Sequence, residues 1–246
     1  MIKKMRDSIE EGNAFVNVTK VAEMMKVKPC ADALVQLLKS ENDMVSKAAM
    51  ITARTALTPD TPDGEVHSVL IDLGIIETLI ELMNRPLSNS KKKRKTKKVD
   101  RIAEIVNKAR SGGRAAHLIG LLAYNDAKTS ATIVHQNAVS SLANVLNCFH
   151  NITKLGYKMN IDLYLCAIQS VKASACAFGQ IAHHGIANAT AILEEERAIE
   201  KEDRDNTILN NLLKILTSKS KKKFQDMIKP RKSTSQQHRD VRSKLT

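Results

Sequence analysis

Arg114-Ala115-Ala116-His117-Leu118-Ile119-Gly120-Leu121-Leu122-Ala123 opens the stretch whose pattern decides the fold. A polar turn, Tyr124-Asn125-Asp126, leads into Ala127-Lys128-Thr129-Ser130-Ala131-Thr132-Ile133-Val134. Ala138-Val139-Ser140-Ser141-Leu142-Ala143-Asn144-Val145-Leu146 closes it. Apolar residues fall at i, i+3 and i+4 from Leu142, which makes one buried helical stripe. The first segment is rich in small side chains, which let neighbouring helices approach closely. The stretch therefore predicts three consecutive helices, one small-sided, one short and one strongly apolar.

The same grammar recurs on both sides. Leu34 in Ala31-Asp32-Ala33-Leu34-Val35-Gln36-Leu37-Leu38 and Leu79 in Ile75-Ile76-Glu77-Thr78-Leu79-Ile80-Glu81-Leu82-Met83 align with Leu142. A weaker copy is Ile208-Leu209-Asn210-Asn211-Leu212-Leu213-Lys214-Ile215-Leu216. Small-residue helices are expected at 47–56 and 173–182. Setting Ala53, Gly120 and Gly179 in register also aligns Ala49, Ala116 and Ala175, and then Ala56, Ala123 and Ala182. Short apolar helices are expected at 65–71 and 187–193. Gly112-Gly113 is read as a break between helices. The run Glu194-Glu195-Glu196 with Glu200-Lys201-Glu202-Asp203 is read as a solvated loop.

Composition supports an all-α class. The 246 residues are 43% apolar but only 3% aromatic, with no Trp, 9 Gly and 5 Pro. Such a core rests on Ala, Leu, Ile, Val and Met, which favour helix packing over a turn-rich β-sandwich. Cys30, Cys148, Cys166 and Cys176 form no CxxC pair and are expected to be reduced, mostly buried thiols. No apolar run reaches the roughly 18–20 residues that span a bilayer. The first residues lack an apolar stretch of signal-peptide type. These features predict a cytoplasmic, non-membrane protein.

Net charge is +13, which favours acidic partners. The excess sits in two places. Residues 91–98 read KKKRKTKK, seven positive charges in eight positions, and residues 219–246 are again basic. The remainder is close to neutral. Lys91, Lys92, Lys93, Arg94, Lys95, Lys97 and Lys98 form a candidate docking or nuclear-localisation run, or else a solvated insertion. The 219–246 segment reads as a disordered tail.

A small-residue helix, a polar turn, an Ile-Val segment and a Leu-xx-Leu-Leu-type helix together resemble the armadillo repeat. Residues 113–147 carry the resemblance best. Phe178-Gly179-Gln180-Ile181-Ala182-His183-His184 is similar to a phrase of axonemal armadillo proteins. The resemblance implies a right-handed α-solenoid of about three to four repeats over residues 1–218, with a basic loop inserted at about 86–99. Residues 58–64 and 148–165 are further departures from the regular spacing. A terminal repeat should be polar outside, yet residues 18–27 are apolar and Met-rich, which suggests a lost, swapped or partner-covered end. Third helices of such repeats line a groove that suits an extended peptide or a helix. The candidate groove positions are Gln36, Lys39, Glu77, Glu81, Ser141, Asn144 and Asn211.

No enzymatic constellation emerges. His183 and His184 are adjacent and cannot share one helix face, and His117 and His135 have no accompanying ligands at metal spacing. No cofactor, metal or small-molecule substrate is expected. The expected function is a non-enzymatic protein-binding scaffold or adaptor, with the resemblance implying a structural place in cilia or flagella. The alternative is a basic module that binds nucleic acid, microtubules or anionic membrane through residues 91–98 and the tail.

Overall fold

The computed structural model describes residues 14–58, 64–85, 98–124, 126–147, 161–202, 207, 208 and 210. The chain divides into two units, residues 1–211 and 212–246, and all described residues belong to the first. Among the described residues every element is an α-helix: α1 (Ala14–Lys26), α2 (Lys28–Leu38), α3 (Asp43–Ala56), α4 (Gly64–Asp72), α5 (Ile75–Asn84), α6 (Lys98–Ala123), α7 (Ala127–His135), α8 (Ala138–Leu146), α9 (Ile161–His183) and α10 (Ile186–Glu202). None of them is long and apolar enough to cross a membrane.

Local chemistry sets the helix starts. A proline occupies the first turn of α2, where its missing N–H is no loss. Asn42 caps α3 by accepting from the N–H groups of Met44 and Val45. Asp126 caps α7 by accepting from those of Lys128 and Thr129. Each such cap satisfies donors that the helix leaves open. The sharp turns into α5 and α8 both use a left-handed residue, Gly74 at φ 78° and Asn137 at φ 60°. Glycine and asparagine tolerate that region best.

Packing follows chain order. α1 packs on α2, α3 and α4, then α2 meets α5, α5 meets α8, and α3 meets α6. The most extensive interface joins the two long helices α6 and α9. A Cβ on Gly113 would lie 2.8 Å from the Cα of Ser170, and one on Gly120 would lie 3.3 Å from the Cα of Ala177. Both pairs advance by seven residues in the same sense, so α6 and α9 run side by side in the same direction. The Ser170 hydroxyl donates to the Ala109 carbonyl at 2.6 Å across this contact. The aligned Leu34, Leu79 and Leu142 are all buried.

Several expectations are corrected. Gly112 and Gly113 do not break a helix. They lie inside the unbroken α6, because the missing Cβ lets α9 approach. The register of the last small-residue helix is one residue out. Ser174, Phe178 and Ile181 are buried, as are Ala173 and Ala177, whereas Gly179 is exposed and Ala175 and Ala182 are only partly covered. The Ser130 hydroxyl donates to the Ala123 carbonyl, and the Asn188 amide donates to the Ile181 carbonyl. Ile181, not Ala182, thus corresponds to Ala123. Phe178 fills the place of Gly120, which a search for small residues passes over.

The acidic stretch at 194–202 continues α10 and is not a loop. It has no Gly or Pro, and Glu is a good helix former. Glu196 accepts from the Ile208 N–H at 2.6 Å. Within the apolar segment at 18–27, Val21, Ala22 and Met25 are buried against the chain's own helices, while Val27 is 52% exposed. Leu37, Met44 and Ile51 on α2 and α3 are further exposed apolar side chains, with Met44 71% exposed. Of the described thiols only Cys166 is buried, Cys30 is half-buried and Cys176 is exposed. Residues 86–97, the tail at 219–246, Cys148 and Asn211 lie outside the described residues. Lys98 begins α6.

Candidate interaction surface

The proposed groove positions sit on α2, α5 and α8 or at their ends. Gln36, Lys39, Glu77, Glu81 and Asn144 are exposed. Ser141 is not: it is 2% exposed. The Asn84 amide donates to its hydroxyl at 2.7 Å, tying α5 to α8, so Ser141 is a packing residue. Glu77 accepts from the Gln136 amide beside the turn into α8. The Arg85 guanidinium donates to the Lys39 carbonyl at 3.2 Å, tying the end of α5 to the end of α2. Hydrogen bonds that tie α5 to the ends of α2 and α7 thus reach the edge of this surface, and the two carboxylates of α5 give it acidic character.

A second surface lies on the long helices. In the corrected register Lys47, Arg114 and Lys172 are equivalent, each two residues before Ala49, Ala116 and Ser174. Lys47 and Lys172 are exposed and Arg114 is half-buried. Arg110 and His117 stand at helical spacing from Arg114 on α6. The Arg110 guanidinium donates to the Cys166 sulfur at 3.0 Å. Burial lowers the Arg114 pKa, the Arg110 charge lowers it further, and Cys166 opposes both. His117 is held below the ordinary imidazole value, first by burial and then by Arg54 of α3 and Lys172 of α9. Sequence reading missed this row because its last member was set one residue off. The helical position shared by Ser130 and Asn188 was the signal that would have found it.

His67 and Asp126 form a third, smaller feature. Burial lowers the His67 pKa, and Asp126 opposes it. For Asp126, burial raises the carboxyl pKa. The hydroxyl and N–H of Thr129, the N–H of Lys128 and the nearby His67 outweigh that and leave it below its usual value. This is a helix cap beside a half-buried imidazole.

His183 ends α9 and is exposed, His184 follows in the turn, and His135 ends α7. Their rings do not converge with other ligands. No group of three or more His, Cys, Asp or Glu side chains that could hold a metal ion occurs among the described residues. Comparison with known protein families, with curated proteins and with solved structures gives no match.

Proposed function

We propose that this chain is a non-enzymatic protein-binding scaffold, built as a right-handed α-solenoid of about three to four armadillo-like repeats. In this reading α3–α5 and α6–α8 are full repeats, α1 and α2 end a preceding one, and α9 and α10 begin the next. The observation that carries the reading is the parallel, side-by-side packing of α6 and α9 through Gly113–Ser170 and Gly120–Ala177. Helices that repeat in sequence and stack in the same direction bury each layer only against the next, which is how a solenoid is held together. The neighbouring order α2, α5, α8 supports a continuous surface on the third helices.

Gln36, Lys39, Glu77, Glu81 and Asn144 form the candidate groove of that scaffold. Ser141 supports it from beneath. A structural place in cilia or flagella is what the resemblance of residues 178–184 implies. The test is capture of proteins from a cell extract by the full chain and by a Glu77→Lys/Glu81→Lys variant, each at low and at physiological salt. Groove binding predicts partners that the variant loses and that survive the salt change. The alternative reading, a basic module acting through residues 91–98 and the tail, rests on the concentration of charge there. It predicts binding indifferent to Glu77 and Glu81 and steeply weakened by salt.

A further inference from the structure

Lys47, Arg114 and Lys172 repeat one position across α3, α6 and α9, helices packed in succession. Arg54, Arg110 and His117 flank them. Among the described residues none of these five Lys and Arg side chains makes an ion pair. The acidic side chain described on these three helices is Asp43, in the first turn of α3. Arg110 lies beside Arg114, and Arg54 and Lys172 lie beside the His117 ring, so these cations meet another cation or an imidazole and no described carboxylate. Like charges gathered without counter-charges lower the stability of the face that holds them. An anion brought from outside removes that cost.

Spacing selects the form of that anion. Packed helices lie about 8–10 Å apart. An extended polyproline-type chain has three residues per turn and advances about 3.1 Å per residue. Every third side chain then returns to the same face after about 9 Å, one helix spacing. A chain laid across α3, α6 and α9 with an acidic residue at every third position therefore presents one carboxylate to each of Lys47, Arg114 and Lys172. A single-stranded nucleic acid draws much of its affinity from base stacking on aromatic rings. The described stretches of α3, α6 and α9 beside this row supply no such ladder, and the whole chain is only 3% aromatic.

We propose that the row formed by Lys47, Arg114 and Lys172 is a docking surface for an acidic, extended segment of another protein. The surface lies on the first helices of the layers, apart from α2, α5 and α8, and does not depend on the groove reading. The geometry assigns Arg54 and Arg110 to the two sides of the same track, where they hold carboxylates next to the central three.

The test is fluorescence anisotropy with the full chain and labelled peptides in a Ser/Pro background. One peptide carries glutamate at every third position, and another carries the same glutamates contiguously. Reversing Lys47, Arg114 and Lys172 to Glu is expected to weaken the spaced peptide by about tenfold or more. The same reversal at Lys91, Lys92 and Lys93 is expected to weaken it by less than about threefold, through loss of long-range attraction only. The milder pair Lys47→Gln/Lys172→Gln alters only exposed positions and keeps the test valid if the triple reversal disturbs folding. It is expected to cost about threefold, with an unchanged helical circular dichroism spectrum. Equal binding of the two peptides, or an affinity within about twofold of wild type for both row variants, overturns the proposal. So does tighter binding of a single-stranded oligonucleotide or of phosphatidylserine vesicles than of the spaced peptide.

Discussion

α6 meets α9 through glycines, whereas α3, which also packs on α6, contains none. In the corrected register Gly113 and Gly120 of α6 correspond to Ser46 and Ala53 of α3. The α6–α9 interface is much the larger of the two. Both helices there are long, 26 and 23 residues against 14 for α3. The backbone of α9 reaches the Cα atoms of α6 at two points one heptad apart. The lesson is that helices of matching sequence pattern need not be held equally. Approach distance is set by which positions lack a Cβ, and contact length by how far both partners run on together.

That contrast breaks first at Gly113. A methyl group there would meet the hydroxyl, Cα and Cβ of Ser170 at 2.5–3.0 Å. Gly113→Ala is therefore expected to destabilise the domain by about 2 kcal/mol, overpacking winning over the gain in helix propensity. Urea unfolding measures it, and an unchanged midpoint would remove the close approach from the account. Gly74→Ala tests a different kind of glycine. No atom clashes, but the φ of 78° is strained for any other side chain. A loss of about 1 kcal/mol is expected, and Gly74→Asn should recover part of it, as Asn137 does in the equivalent turn.

Asp126→Ala removes the cap of α7, and a loss of about 1 kcal/mol is expected. Thermal unfolding of Asp126→Asn alongside it separates lost hydrogen bonding from lost charge, since Asn also caps. Gly179→Ala sharpens the comparison from the other side. Gly179 is exposed and a methyl group there meets nothing within 4 Å. A gain of about 0.7 kcal/mol is expected from propensity alone. A loss at Gly179 would mean that the register derived for α9 is wrong.

The smallest effect is one of pH. His67 and His117 both have folded-state pKa values below the ordinary 6.5, with burial as the first cause. The unfolded chain then binds more protons as pH falls through 6.5. Their contribution is fully present above that value and is lost as pH falls towards their folded pKa values. Stability should decline modestly between pH 7.5 and 5.5, and His117→Gln should flatten part of the decline. Asp126 acts lower. Its depressed pKa contributes above the ordinary carboxylate value and is lost as pH falls through the folded one. A His117→Gln profile parallel to wild type would show that neither burial nor the Arg54 and Lys172 charges hold the ring below its ordinary value.

The third helices were the easiest to read. Leu34, Leu79 and Leu142 announce their burial because an apolar stripe at helical spacing has no other stable place. The polar turn at Tyr124-Asn125-Asp126 was legible too, whereas the capping role of Asp126 and the left-handed turn at Gly74 came only with the structure. The surface above these helices was less so. Ser141 looked exposed by helical position, and it is buried because Asn84 on the preceding third helix reaches over to bond it. The row of Lys47, Arg114 and Lys172 stayed hidden because Phe178 interrupts the small-residue pattern by which α9 was aligned.

Local chemistry determined that these segments are helices, where several of them begin and which face of each is apolar. Those properties depend on side chains within one or two turns of each other, and the chain carries them wherever it goes. Tertiary packing alone decided that Gly112 and Gly113 join two helices instead of ending one, since a missing Cβ has meaning only against the atoms that occupy its space. It also decided which basic residues stand together. Their equivalence is a property of three helices in contact, and no single helix contains it.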